Sequence, residues 1–187
     1  VSERFAVGWV AHIMKTVKTN PDQTATQLLS PAAAAPTVSG AITADRIQMN
    51  LQGRDRDAVL RELVALVIPP QEERMSETLF QALKAREDLC STCVTEGVAI
   101  PHARNALVGM VNKPVLAYGR HQGGVNFGAL DGKPVRHFFL LCAPNVREHL
   151  LLLAKLARLL NQPAFRRKLD AATLPQQVID LIRTSEQ

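Results

Sequence analysis

The chain is predicted to fold as an α/β domain built on one sheet covered by helices on both faces. Three observations predict this. Short apolar runs fenced by proline and glycine crowd the middle of the sequence, at 97–101, 115–120 and 135–142. Helical spacings of apolar residues lie both before and after that group, the element order of a sheet packed between helices. Within the last run, Phe138-Phe139-Leu140-Leu141 shows no alternation, as expected of a central strand buried on both faces.

Taken in order, residues 1–19 carry Phe5, Val7, Trp9, Val10, Ile13, Met14 and Val17 among Arg4, Lys15 and Lys18, an amphipathic helix that Pro21 ends. One short helix cannot form a core alone, so it reads as a leader packed on the main domain or a neighbour; the other reading is the tail of a preceding domain. The opening at Val1, without an initiator methionine, reads as a piece of something longer. His12 lies on this helix and is assigned no role. Residues 20–41, centred on Ser30-Pro31-Ala32-Ala33-Ala34-Ala35-Pro36, lack the apolar content to fold and read as a linker.

The main domain is expected over 42–187. Ile47, Met49 and Leu51 alternate with polar residues in a short extended piece. Asp55 is placed to cap a helix through Val59, Leu60, Leu63, Val64 and Val67, which Pro69-Pro70 stops. A second helix over 76–86, with Leu79, Phe80 and Leu83 on its apolar face, carries Arg86 near its end. The strand at 115–120 follows Pro114, turns are marked by Gly123-Gly124 and Asp131-Gly132, and Pro144 closes the strand at 135–142. Helices over 148–160, 164–171 and 175–183 complete the domain, and no internal repeat is visible.

Composition narrows the function. The formal charge of +5 is basic, but Lys and Arg are scattered and only one Trp and one Tyr accompany them, which argues against a nucleic-acid surface. Such a surface equally favours acidic protein partners. No signal peptide and no long uninterrupted apolar stretch is present, so the chain as given reads as cytoplasmic and not inserted in a membrane. Three cysteines, Cys90, Cys93 and Cys142, suit a reducing compartment. Cys90 and Cys93 form a Cys-x-x-Cys, but no second pair at ligand spacing joins it, so no metal constellation is expected and the spacing reads as coincidence.

The stretch on which the rest turns is Gly97-Val98-Ala99-Ile100-Pro101-His102-Ala103-Arg104. A short apolar strand ends in a proline that fixes the backbone and presents an imidazole at its tip. Neutral imidazole is a good nucleophile near neutral pH, so His102 is the candidate. Upstream stands Arg86-Glu87 with Ser91-Thr92 after it; downstream, His149-Leu150 stands near the start of the most apolar helix.

In this order and at these spacings, the residues resemble the type-2 EIIA domains of the bacterial phosphoenolpyruvate-dependent phosphotransferase system, in its fructose, mannitol and nitrogen-regulatory classes. The resemblance runs from about Ile42 to Ile182 and implies a three-layer α/β/α sandwich with a mixed β-sheet, preceded here by the N-terminal helix and linker. It implies that His102 takes a phosphoryl group from phospho-HPr and passes it to a cysteine of an EIIB domain. Arg86 would pair the phosphate oxygens through its guanidinium fork, and His149 would donate a hydrogen bond from a helix start where anions are favoured. Ser91 and Thr92 either fix the turn or bond the phosphate. No cofactor is implied, since the chemistry is positioning and charge balance. His121 and His137 match no family site residue, and His137, on a strand, reads as structural.

Two alternatives share the same residues. One is a nitrogen-class regulator whose phosphorylation controls binding to a kinase, channel or transporter; the other is an EIIA-like module that binds protein without being phosphorylated. One departure from the family pattern stands out. Members often have glycines where this chain has Cys93 and Thr95, so the turn before the histidine strand is expected to differ or to carry strain.

Overall fold

The computed structural model of the chain describes residues 35–103 and 110–186. The chain divides into two compact units, Val1–Ala35 and Pro36–Gln187. The helix expected over 1–19, linker residues 20–34 and Arg104 lie outside the described residues.

The second unit opens with one helical turn, α1 (Val38–Ala41), capped by the Thr37 side chain, which accepts from the Gly40 amide at 3.1 Å. The Glu186 carboxylate accepts from Val38 N at 2.6 Å, Ser39 N at 3.0 Å and Ser39 Oγ at 2.8 Å, and Lys155 Nζ donates to the Pro36 carbonyl at 2.7 Å. Residues 36–41, whose composition reads as linker, therefore belong to the folded unit. Composition is local, whereas the carboxylate that fixes this turn lies 148 residues away.

Five strands follow: β1 (Ile42–Gln48), β2 (Cys93–Thr95), β3 (Val98–Ala99), β4 (Val115–Val125) and β5 (Val135–Cys142). They form one sheet in the order β1-β4-β5-β3-β2. β1 runs parallel to β4 and β3 parallel to β5, while β4–β5 and β2–β3 are antiparallel, so the sheet is mixed. β1 starts at Ile42, before the alternation that predicted it. As an edge strand it buries only Ile42 and Ile47, leaving little periodicity to read. Leu51 falls past its end and is buried, its amide donating to Arg120 O at 2.8 Å.

Gly123 and Gly124 do not end β4 as expected. The strand runs through them with a shift of register between Arg120 and Val125, and Gly124 takes a φ of 74°. That is an extended bulge: from Arg120 to Val125 the chain takes five steps on β4 against two on β5, and the glycine at positive φ lets the extra residues leave the ladder.

On one face lie α2 (Arg56–Ala65) and α3 (Glu73–Leu89); on the other, α4 (Val146–Leu160), α5 (Pro163–Ala171) and α6 (Pro175–Ser185). Asp55 caps α2 as the sequence indicates, accepting from Ala58 N at 2.8 Å. α3 is longer than its expected 76–86 and presents Leu79, Phe80, Leu83 and Glu87 on its buried face. Strand alternation feeds both layers: Ala117, Phe138 and Leu140 join the cluster with Leu60, Leu63 and Phe80. Tyr118, Phe139 and Leu141, at the intervening positions, are also buried, as are Leu152, Leu156 and Leu169 of the second layer. β5, third of five strands, is covered on both sides, which is why its Phe138-Phe139-Leu140-Leu141 run shows no alternation.

Candidate functional site

The site lies where β3 runs out. Gly97, at φ 70°, turns the chain from β2 into β3, and its carbonyl accepts from Arg136 N at 2.9 Å and His137 N at 3.0 Å. No non-glycine residue among those described has a positive φ. Of the two expectations for this turn, a different geometry or strain, strain is not seen at Cys93 and Thr95: both lie on β2, and Gly97 supplies the left-handed residue.

Beyond β3 the backbone is held from both sides. Ile100 N donates to Thr92 O at 3.0 Å, and Leu141 N donates to Pro101 O at 3.1 Å. His102 thus continues the sheet beside Leu141 as an isolated parallel bridge. Its ring is only 6 % exposed. Nδ1 lies 2.7 Å from the Ile100 carbonyl, a group that can only accept, so Nδ1 carries the hydrogen and the lone pair sits on Nε2. Burial is the main reason the imidazole is held well below its ordinary range, down to about 4. The Ile100 carbonyl opposes that shift, while Arg86 and His149 add to it. The ring is neutral at physiological pH.

His149 sits in the first turns of α4, which Asn145 caps by accepting from Glu148 N at 3.0 Å. Its own amide donates to Asn145 O at 3.1 Å, so what His149 offers is its ring and not a free backbone N–H. The His149 and His102 ring centroids are 5.3 Å apart with planes inclined by 46°. Burial lowers the His149 pKa as well. Because α4 packs on β5 and β2, its first turn reaches the end of β3.

Arg86, half-buried on the last turn of α3, donates from Nη1 to Cys90 O at 2.6 Å, and its charge reaches His102. Its sequence neighbour does something else. Glu87 is buried and accepts from Thr92 N at 2.8 Å and from Thr92 Oγ1 at 2.6 Å. Ser91 Oγ donates to Phe127 O at 3.2 Å. The Ser-Thr hydroxyls are thus both engaged in fixing the turn. Glu87 is the residue the sequence underrates, since an Arg-Glu pair suggests an ion pair, yet adjacent helical residues point in different directions.

All three cysteines are free, and burial pushes the Cys93 thiol up to about 11, far from a reactive thiolate. His137 stands apart from the site, at the other end of β5. Tyr118 Oη lies 2.8 Å from its Nδ1, and Asp170 Oδ1 lies 2.9 Å from its Nε2. Asp170 can only accept, so Nε2 carries the hydrogen and Tyr118 donates to Nδ1. Among the described residues no helix is long and apolar enough to cross a membrane.

A mixed sheet between two helical layers, with a short inner strand running out at a buried histidine, is the architecture of EIIA-type domains. The same fold is seen in the crystal structure of IIA mannitol from Escherichia coli, 21 % identical with a TM-score of 0.62, over 75 % of this chain and 98 % of that one. The model for the phosphoenolpyruvate-dependent sugar phosphotransferase system, EIIA 2, matches residues 41–185, and the chain belongs to that family of phosphocarriers. It is similar to the nitrogen regulatory protein of Pseudomonas aeruginosa, 33 % identical over 143 residues, 75 % of this chain and 91 % of that protein. The crystal structure of nitrogen regulatory protein IIA-Ntr from Neisseria meningitidis is 31 % identical with a TM-score of 0.68, over 78 % of this chain and 98 % of that one. The fructose-specific EIIABC component of Bacillus subtilis is 32 % identical over 143 residues, and there the chain spans 22 % of the relative's length.

Proposed function

We propose that this chain is a regulatory EIIA of the nitrogen class, charged by an HPr-like phosphodonor on Nε2 of His102, whose phosphorylation state sets its binding to a target protein. The observation that carries the site is the His102 tautomer: Nδ1–H is committed to Ile100 O at 2.7 Å, which leaves Nε2 as the nucleophile. The Nε2 lone pair attacks the donor's phosphorus in line, the donor's N–P bond breaks, and its electron pair returns to the donor ring nitrogen. Nδ1–H stays on the Ile100 carbonyl and shares the charge that develops on the ring. Arg86 balances the phosphoryl oxygens, and the His149 ring, 5.3 Å from that of His102, donates a hydrogen bond to them. Exposed Leu89 and Val146, at the helix ends beside Arg86 and His149, offer apolar surface to a protein donor.

The regulatory class is favoured over sugar transport because the nitrogen regulatory relatives are matched over nearly their whole length. Carriage to an EIIB cysteine is the second reading, supported by the B. subtilis relative. Intact mass after incubation with phosphoenolpyruvate, enzyme I and HPr tests the site: wild type gains one phosphoryl group and His102→Ala gains none. No gain in folded wild type would leave a binding module. Adding a fructose-type EIIB domain then separates the two classes. A regulator keeps its phosphoryl group, whereas rapid discharge onto EIIB would establish the carrier.

A further inference from the structure

We infer that Glu87, without itself touching the ring, is a positioning residue for phosphoryl transfer that sets the tautomer and direction of the His102 ring through a relay of hydrogen bonds. The relay is continuous. Glu87, third from the end of the 17-residue α3, turns a carboxylate that is 4 % exposed towards the next turn of chain and takes both donors of Thr92, its amide at 2.8 Å and its hydroxyl at 2.6 Å. Thr92 is itself fully buried. Held there, the Thr92 carbonyl accepts the Ile100 amide at 3.0 Å. Within an extended strand the N–H and C=O of one residue point to the same side, so fixing Ile100 N also fixes where Ile100 O is aimed. That carbonyl is the acceptor of His102 Nδ1 at 2.7 Å. From the other side, Leu141 N donates to Pro101 O at 3.1 Å, so the segment is held on both edges.

The chemistry explains why a carboxylate stands here. A buried turn that presents an N–H and an O–H a few ångströms apart needs an acceptor for each, and a carboxylate has two acceptor oxygens and no donor to misplace. Charge-assisted bonds are shorter and stronger than neutral ones, which suits a fixed reference point. The same turn also presents Cys90 O to Arg86, at 2.6 Å from Nη1. One carboxylate thus registers both the nucleophile and the cation opposite it. An Arg-Glu dipeptide at a helix end is built for this: consecutive helical residues diverge, one to the rim of the site and one beneath it.

The inference rests on His102 being the phosphoryl acceptor, and its test reads the ring before any phosphoryl group is added. Nitrogen-15 NMR of unphosphorylated protein reports which nitrogen of His102 carries the hydrogen, while the rate of mass gain from phospho-HPr reports transfer. In wild type a single tautomer, Nδ1–H, is expected. Glu87→Ala is expected to give mixed tautomers and transfer slowed by about tenfold or more, the scale of a misplaced reacting group. Glu87→Gln keeps one acceptor for the Thr92 amide and should recover most of the tautomer preference and rate. Thr92→Val, which removes only the hydroxyl, is the second variant if Glu87→Ala does not fold, and should fall between wild type and Glu87→Ala. A folded Glu87→Ala or Thr92→Val with the wild-type tautomer and rate overturns the relay. Wild type with one tautomer but no mass gain would sink the phosphocarrier reading and leave the relay standing.

Discussion

Of the three histidines buried among the described residues, two lie at opposite ends of the central strand and are treated in opposite ways. His102 and His137 are equally hidden, at 6 % and 5 % exposure, and burial holds both pKa values below the ordinary range. Their charged surroundings differ. Around His102 stand the Arg86 guanidinium and the His149 ring, and both push its pKa down. His137 has the Asp170 carboxylate on Nε2, with Arg120 and Arg136 nearby, and the Tyr118 hydroxyl on Nδ1. An anion is already in place at His137, and the side chains of β4, β5 and α5 are tied together by it. The cationic setting of His102 instead favours an anion that arrives. Burial marks a histidine as important; the sign of its neighbours says for what.

The sharpest break in this comparison is substitution of each ring in turn. His102→Ala should abolish phosphoryl gain completely with the fold intact by circular dichroism. His137→Ala should still gain one phosphoryl group but lose about 2–3 kcal/mol in urea unfolding, because a buried tyrosine hydroxyl and a carboxylate lose their partner. Next in size is Arg86→Ala, expected to slow transfer on the order of 100-fold by leaving phosphoryl oxygens uncompensated, with Arg86→Lys recovering only part. His149→Ala removes one hydrogen bond to a charged group and should cost about tenfold in rate, read from the same mass time course.

Acid dependence is a finer probe. With the His102 imidazole held near 4, its lone pair survives well below the ordinary histidine range. Transfer should therefore stay level from pH 8 down to about 5, where a solvent-like imidazole at about 6.5 would already be mostly protonated. In Arg86→Ala the acid limb should move to higher pH, because that cation helps hold the pKa down. Smallest is the effect on stability. His102, His137 and His149 all have lowered folded pKa values, so the unfolded chain binds more protons once pH drops below about 6.5. Their contribution is whole above that pH and is lost progressively as pH falls towards the folded values. Urea midpoints should decline between pH 7 and 5, and less steeply in His102→Ala.

Much of this was legible in the chain, and the exceptions share a cause. The α2 cap at Asp55, the buried run of β5 and the pairing of His102 with His149 rest on residues whose local pattern or motif announces them. Three features escaped because their partners are distant or absent from the local pattern. The turn at Val38 looks like linker until Glu186 is placed on it. Gly124 reads as a turn because a glycine pair says where the chain bends but not whether the ladder resumes at Val125. Strain at Cys93 and Thr95 vanishes because Gly97 takes the positive φ in their place. Tyr118, His137 and Asp170 carry no motif at all; only the antiparallel register of β4 on β5 and the docking of α5 bring them together.

The bonds from Val38 and Ser39 to Glu186 have a consequence for portability. The Glu186 side chain spans the place where the backbone comes into the folded unit and the place where it leaves, so the two lie within one side chain's reach of each other. A polypeptide could host such a body as a cassette set into a surface loop, its two cut ends spanned by a gap of a few ångströms. The same adjacency makes the order of its segments negotiable. Joining the two ends and opening the chain at the exposed Leu130 would give a rearranged sequence with every sheet contact intact.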